Sequence, residues 1–551
     1  MAKYVFGIDL GTTYSCIAYV DETGRATVIN NSEGTNTTPS VVNFASSTQV
    51  VVGQIAKENA VIDPKNTAVL VKTLMGNSNF AINYNGEDKS PEEVSAYILR
   101  KLASDASNMI DSQVKDVVIT CPAYFGSAER TATKNAGIIA GLNVLEIISE
   151  PTAAALYYGC TKEHEAKTFL VYDLGGGTFD VTIMNIDADN IAIICSDGIH
   201  DLGGKNWDEA VMLYLKGEFE SETRYDGDFD EYAQQDLRLK AEKAKQQLSS
   251  KEVVPVMLDA AGLRAKINLS RTTFNDITSV LLNQTIEKTD AAIAVAKEKG
   301  HIVNEILLVG GSTRMPQVTD ALVAKYGIKP KILEPDEAVA KGAAIHAVNV
   351  YIENQKNLSE WAKKVSSGQA SDEERPEQRL LDKKADYQEQ LKIDPTMMTI
   401  GGRMKEIVYA TTKSFALKVI VNEKKYQCYN MIVKNEPMPD GSVSVTKQFG
   451  TEVDNQPGAE LVVYESDIMS EYFEVDEVYV LGTATLELTK NLPKGAPLEV
   501  TFTLNTEGIL EVYGRDLNSN KEVRATMRAK GIMASEKVDE LKEKSKNVVV
   551  M

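Results

Sequence analysis

The sequence predicts two folded units of different class, a long α/β unit over residues 1–350 and an antiparallel β unit over 406–530. Three observations carry this. Short apolar runs alternate with helical patterns through the first unit, the mark of strands layered with helices. In the second unit strand-like runs separated by turn residues replace that alternation. Between them lies a segment, 351–405, rich in Lys, Glu and Gln and poor in strand formers.

Taken in order, Tyr4–Ile8, Val117–Thr120, Thr168–Tyr172 and Ile306–Val309 read as strands, and Pro91–Ala103 and Asp236–Leu248 as helices. Their alternation predicts mostly parallel sheets covered by helices. The segment 351–405, divided by Pro376, reads as a solvated helical linker or hairpin; its apolar positions do not sustain heptads, which argues against a coiled coil. In the β unit the strands are Ser414–Val421, Ser442–Phe449, Ala459–Tyr464, Ala484–Leu488, Leu498–Leu504 and Ile509–Arg515. Pro439-Asp440-Gly441, Pro457-Gly458 and Glu507-Gly508 supply turns between several of them. The closing stretch, 531–551, reads as one short charged helix, Ser535–Asn547, and a Val-Val-Val-Met tail.

Composition narrows the function. With 59 basic against 79 acidic residues the formal charge is −20, which disfavours nucleic acid and anionic membranes as partners. The five cysteines (Cys16, Cys121, Cys160, Cys195 and Cys428) are scattered and form no CxxC pair, so neither a disulfide framework nor a zinc site is expected. No apolar run is long enough to span a bilayer and the first residues lack an apolar leader core, so the expected compartment is a reducing cytoplasm.

Two segments share a pattern that suits phosphate. Gly7-Ile8-Asp9-Leu10-Gly11-Thr12-Thr13 and Asp173-Leu174-Gly175-Gly176-Gly177-Thr178-Phe179-Asp180 each read as a strand, an Asp-Leu-Gly turn with small hydroxyl residues, and a second strand. Glycine in such a turn lets consecutive backbone N–H groups approach phosphate oxygens without a Cβ in the way. The aspartates closing the first strands, Asp9 and Asp173, can hold a magnesium ion, mostly through water. A duplicated hairpin facing itself would clamp a triphosphate from both sides. No GxxxxGK[ST] occurs and no GxGxxG follows a strand, which excludes a P-loop and disfavours a dinucleotide fold. A third segment, Val309-Gly310-Gly311-Ser312-Thr313-Arg314-Met315-Pro316, ends a strand in flat backbone that can lie against a nucleoside, with Arg314 able to stack on a purine.

These three motifs make residues 3–350 resemble the 70-kDa heat-shock chaperones of the DnaK type. The resemblance runs through GIDLGTTYS (7–15), Cys121–Gly159, YDLGGGTFDVTI (172–183), VGGSTRMP (309–316) and EPDEAVAKGAA (334–344). It implies an actin-like fold, ribonuclease H-like and duplicated, that binds ATP and ADP with Mg²⁺ (K⁺ is a further candidate ion) and hydrolyses ATP slowly. Carried onto matching positions, it implies phosphate contacts from Gly11, Thr12, Thr13 and Tyr14 in the first hairpin and from Gly176, Gly177 and Thr178 in the second. Lys72 falls where the family has its catalytic lysine, and Thr178, Glu150 and Asp180 complete the implied catalytic set. Glu242, Lys245 and Ser249 match the adenosine-contacting helix; their spacing puts them on one helical face. Gly310, Gly311, Ser312, Arg314 and Asp336 would close the nucleoside pocket, and Pro122 and Arg130 match the family's interdomain switch.

The β unit follows the family's peptide-binding β-sandwich more loosely, through Met431–Pro439, Phe449–Glu465 and Gly495–Arg515. The resemblance implies that it holds an extended polypeptide by backbone hydrogen bonds, with a J-domain protein and a nucleotide-exchange factor as further partners. Three departures stand out. Glu406-Ile407-Val408-Tyr409-Ala410 replaces the family's leucine-rich interdomain linker, which weighs against linker docking. The stretch Ser414–Gln427 that would shape the peptide pocket gains Glu423, Lys424 and Lys425. A single helix stands where the family has a long helical lid, so peptides should exchange quickly. Lys205 and Asn206 occupy positions that are usually acidic in the family. The resulting expectation is an ATP-dependent chaperone; the alternative is a nucleotide-gated module for one dedicated partner.

Overall fold

The structure is a computed structural model that describes residues 4–366 and 406–551, apart from 78–79, 85, 161–165, 188–189, 333, 422–424, 476–478 and 528–531. The first unit contains two lobes, each built on a mixed sheet. In lobe I the strand order is Asn143–Ser149, Asp116–Cys121, Phe6–Asp9, Tyr14–Val20, Ala26–Val28. In lobe II it is Lys331–Ile332, Glu305–Val309, Lys167–Leu174, Phe179–Ile186, Asn190–Ile199. Both orders are the same when traced from the hairpin outward. A strand-turn-strand hairpin is extended antiparallel on one side and parallel on the other. The expectation of mostly parallel sheets therefore fails. The hairpins that carry the phosphate-type turns force antiparallel pairing at the middle of each sheet, and within the lobes themselves the parallel pairs come from the crossover strands.

The helix Ala338–Ser366 holds the lobes together. It lies across the lobe I sheet and against helix Glu150–Cys160, with Val339, Ala343, Ala347 and Val348 in a core shared with Val5, Val118, Phe169 and Val171. Close approach is the reason for two glycines. A Cβ on Gly342 would stand 1.7 Å from the carbonyl oxygen of Ala153, and one on Gly7 would stand 2.1 Å from the amide of Ala344. Only hydrogen at these positions lets helix meet helix and helix meet strand at that distance. This helix runs past residue 350 without interruption; the rest of the charged segment, 367–405, lies outside the described residues.

The β unit is a sandwich. One sheet is Tyr472–Glu474, Lys425–Ile432, Ser414–Val421, Gly458–Ser466, Tyr479–Glu487; the other is Ser442–Gly450, Pro497–Asn505, Leu510–Asp516, Glu522–Met527. All pairings within it are antiparallel. Period-two alternation sends Phe415, Leu417, Val463, Phe502, Leu504 and Val512 into the space between the sheets.

Two connections tie the sandwich to the lobes. Strand Glu406–Ala410 adds in parallel to Asn190–Ile199 of lobe II, with Ile191 opposite Ile407 and Ala192 opposite Val408. The linker therefore docks, against the expectation from its composition: strand addition draws on backbone N–H and C=O groups, which need no leucines. The Tyr409 hydroxyl adds a side-chain contact, donating to Glu146 at 3.1 Å. At the other end, helix Ser535–Lys546 packs Val538 and Leu541 on Ala96 and Ile139 of lobe I. Val549–Val550 then adds in parallel to strand Gln49–Val52. The stretch read as a tail is thus part of a lobe I sheet, with Val548 in its core.

Candidate functional site

Each phosphate-type turn sits at the end of a strand pair that the sheet holds rigidly, and the two turns face one another across the interlobe cleft. A Cβ on Gly176 would stand 2.3 Å from Thr13 Oγ1, and one on Gly177 would stand 2.6 Å from Thr12 Cγ2. The hydroxyl turn of lobe I thus rests on the glycine turn of lobe II. The chain at Gly204 and Lys205 backs that turn: their amides donate to the carbonyls of Gly175 at 2.9 Å and Gly176 at 2.8 Å. Ser312 Oγ also donates to Gly175 O at 2.9 Å, which fixes the Val309–Pro316 segment beside the same turn.

The turns open into a cavity of about 380 Å³ between the lobes. Gly11, Thr12, Thr13, Tyr14, Gly176 and Thr178 line its end at the two turns. Glu242, Lys245, Ser249, Arg314 and Asp336, with the backbone of Gly310, Gly311 and Ser312, line the other end. Gly177 and Asp180 differ from the sequence expectation: neither reaches the cavity wall. Gly177 is covered by Thr12, and Asp180 is buried behind the turn.

At the floor lies an acidic cluster with one lysine. Lys72, on the short 3₁₀ turn Val71–Leu74, forms a buried ion pair with Glu150 at the start of helix Glu150–Cys160. Burial alone would push the Lys72 ammonium down, but Glu150 and Asp9 outweigh it and hold it above its ordinary value. Thr120 Oγ1 donates to Asp9 at 3.1 Å. Burial, and after it the negative charge of Glu150, drives Asp9, Asp173 and Asp180 upward from the usual carboxylate range. Asp180 Oδ1 is buried without a hydrogen-bond partner. Four carboxylates around one ammonium, one with an unsatisfied oxygen, fit a hydrated divalent cation. Among the described residues no three acidic groups converge as direct ligands, so such an ion would be held through water, the habit of Mg²⁺ beside phosphates.

The opposite end of the cavity is bridged by charge. Lys57, from helix Gln54–Asn59 of lobe I, donates to the Tyr14 hydroxyl at 2.9 Å and pairs with Glu242 of lobe II at 2.6 Å. The Tyr14 hydroxyl donates to the same carboxylate at 3.2 Å. Lys245 is held by Asp208 at 2.8 Å and by the Gly204 carbonyl at 2.9 Å. Arg314 Nε donates to Asp336 at 3.1 Å. Sequence reasoning missed both Lys57 and Asp208, although Asp208 stands two positions after Asn206 in a stretch that does carry the resemblance.

A family description, Hsp70 protein, matches residues 5–359 and 397–550, which takes in both lobes and the sandwich. The chain belongs to the Hsp70 family. Among Hsp70 relatives, the chaperone protein DnaK of Thermosipho melanesiensis is 34% identical over 552 residues, 99% of this chain and 83% of the relative. The DnaK proteins of Thermotoga maritima (34%) and Thermotoga neapolitana (35%) align over the same shares. Membership in Hsp70 implies an ATPase domain and a β-sandwich on one chain, and the mixed sheets, helices and sandwich described above are consistent with this. No helix of the described residues is long and apolar enough to cross a membrane. The four cysteines whose side chains are described, Cys16, Cys121, Cys195 and Cys428, are free and buried.

Proposed function

We propose that this Hsp70 chain is an ATP-dependent chaperone whose two lobes form an actin-like, duplicated ATPase fold that regulates polypeptide binding by the sandwich. The observation that carries the reading is the contact of the two turns, Thr12 and Thr13 on Gly177 and Gly176, above the Lys72–Glu150 pair. Amides and hydroxyls there can hold a phosphate chain from both lobes at once. Thr178 and Gly176 bind from lobe II, Thr12, Thr13 and Tyr14 from lobe I, and the nucleoside lies between Glu242, Lys245, Ser249 and Arg314.

For hydrolysis the chain supplies position and charge rather than covalent chemistry. Asp9 and Asp173 would hold Mg²⁺ beside the phosphates, where the ion would neutralise phosphate charge. Lys72 lies where its ammonium stabilises charge on the terminal phosphate in the transition state. Glu150 keeps that lysine charged and aimed. Thr178 positions the attacking water from the cavity wall, and Asp180 backs the turn from its buried position behind it. The sandwich takes extended polypeptide through backbone pairing, and the docked strand Glu406–Ala410 carries nucleotide state between the units. A J-domain protein and an exchange factor are the expected partners, and the free buried thiols suit a reducing cytoplasm.

The test is the ATPase rate with and without unfolded apolar peptides and a J-domain protein. Stimulation by many unrelated peptides is expected of a chaperone. ATP hydrolysis that no peptide changes would replace this reading with that of a module dedicated to one partner.

A further inference from the structure

Three lysines line the nucleotide cavity: Lys72, Lys205 and Lys245. Two are committed. Lys72 is buried against Glu150, and Lys245 is fixed by Asp208, with side-chain exposures of 11% and 15% for that pair. Lys205 is different. Its side chain is only 13% exposed, yet its one ion-pair partner among the described residues, Asp201, is 80% exposed, four residues earlier in the chain. A pair with a solvated carboxylate is worth little and is screened by salt, so this ammonium can change partner at small cost.

Its place in the fold points to the new partner. Lys205 is the second residue of helix Gly204–Thr223, whose first turn packs on the lobe II phosphate turn. The Lys205 amide donates to Gly176 O, and the Gly204 amide to Gly175 O. The backbone of Lys205 is thereby pinned one hydrogen bond from the turn that faces Thr13, and its flexible four-carbon stem starts there. The helix N-terminus adds a partial positive charge on the same side.

We propose that Lys205 is a phosphate-binding residue of this ATPase, leaving Asp201 to pair with the phosphate tail of bound ATP or ADP. It grips the tail from lobe II as Lys72 does from lobe I. The inference rests on the reading of the cavity as a nucleotide site and extends it: the chain retains ADP through a cation that the two hairpin motifs do not contain. Adenosine, which has no phosphates, gains nothing from Lys205.

The experiment measures the dissociation constants of Mg-ADP and of adenosine by calorimetry, at low and moderate salt, for the full chain and for Lys205→Gln, Lys205→Glu, Lys205→Arg and Asp201→Asn. Losing a charge-assisted hydrogen bond should weaken ADP about tenfold or more in Lys205→Gln, and further in Lys205→Glu. Adenosine should be unchanged, Lys205→Arg should restore most of the ADP affinity, and the salt dependence of ADP binding should flatten in Lys205→Gln. Asp201→Asn, which leaves the lysine in place, should bind ADP as tightly as the parent or more so. Unchanged ADP affinity in Lys205→Gln overturns the inference, as does equal weakening of ADP and adenosine, which would mark a purely structural role. If the parent chain binds neither ligand, the nucleotide-site reading itself falls, and the inference with it.

Discussion

Lys72 shows how a single side chain depends on its surroundings. Its ammonium is desolvated, so it stays charged only because Glu150 and Asp9 lie beside it. Replacing it with alanine leaves Glu150 buried and unpaired, which costs about 3–5 kcal/mol unless the carboxyl takes up a proton. Lys72→Ala should therefore lower melting temperature as well as cut single-turnover hydrolysis by roughly a hundredfold or more. Lys72→Met combined with Glu150→Gln should recover stability without activity, and recovery of both would remove Lys72 from the catalytic set. Thr178→Ala should slow hydrolysis with the fold intact, read as turnover against an unchanged far-ultraviolet spectrum.

Glu465 makes a second argument at this scale. It accepts from Ser127 Oγ at 3.4 Å across the sandwich–lobe I contact. Burial and then Glu129 push its carboxyl up to about 7. A carboxyl raised in the docked state stays protonated there to higher pH than when free in water. Docking is then unpenalised below the free value near 4.5, weakens as pH rises toward 7, and levels off above. Limited proteolysis of the contact should be faster at pH 8 than at pH 5.5 in the parent, and Glu465→Gln should flatten that difference.

At the scale of elements, the hairpins were legible because their chemistry is local. An Asp-Leu-Gly turn between apolar runs needs no distant partner to be recognised, and Gly7–Thr13 and Asp173–Asp180 fold as read. Most sandwich strands were legible too, since period-two alternation survives within each. What escaped depends on partners far away in sequence. Lys57 reaches Glu242 across 185 residues. Glu406–Ala410 was judged by its side chains, whereas its docking rests on backbone pairing with Asn190–Ile199. Val408→Pro removes an N–H and restricts that backbone. It should undock the strand and uncouple peptide from ATPase rate while leaving basal hydrolysis within about twofold, since the site lies elsewhere.

For the whole molecule, the sandwich is held at both of its ends, by the linker strand on lobe II and by residues 535–551 on lobe I. Arg100 reinforces the second hold, donating to the carbonyls of Ser545 and, at 3.0 Å, Val548. Ser545 Oγ in turn donates to Ile139 O at 2.8 Å. Release of residues 535–551 from lobe I must break these bonds and expose Val538, Leu541 and Val548. Leu541→Asp places a charge in that contact. It should widen the distance between sandwich and lobe I in solution scattering; an unchanged profile would show that the contact contributes no constraint.

The pairing of Val549–Val550 with Gln49–Val52 bears on how the chain is made. Gln49 and Met551 lie 502 positions apart. At about 5–20 residues per second, a ribosome needs roughly 25–100 s to cover that span. During that time the Gln49–Val52 strand has emerged while its parallel neighbour does not yet exist. An unpaired edge is a template for adhesion, and a pairing this distant closes slowly. A newly made copy of this chain thus carries, for about a minute, the kind of exposed strand that it is built to recognise in other proteins.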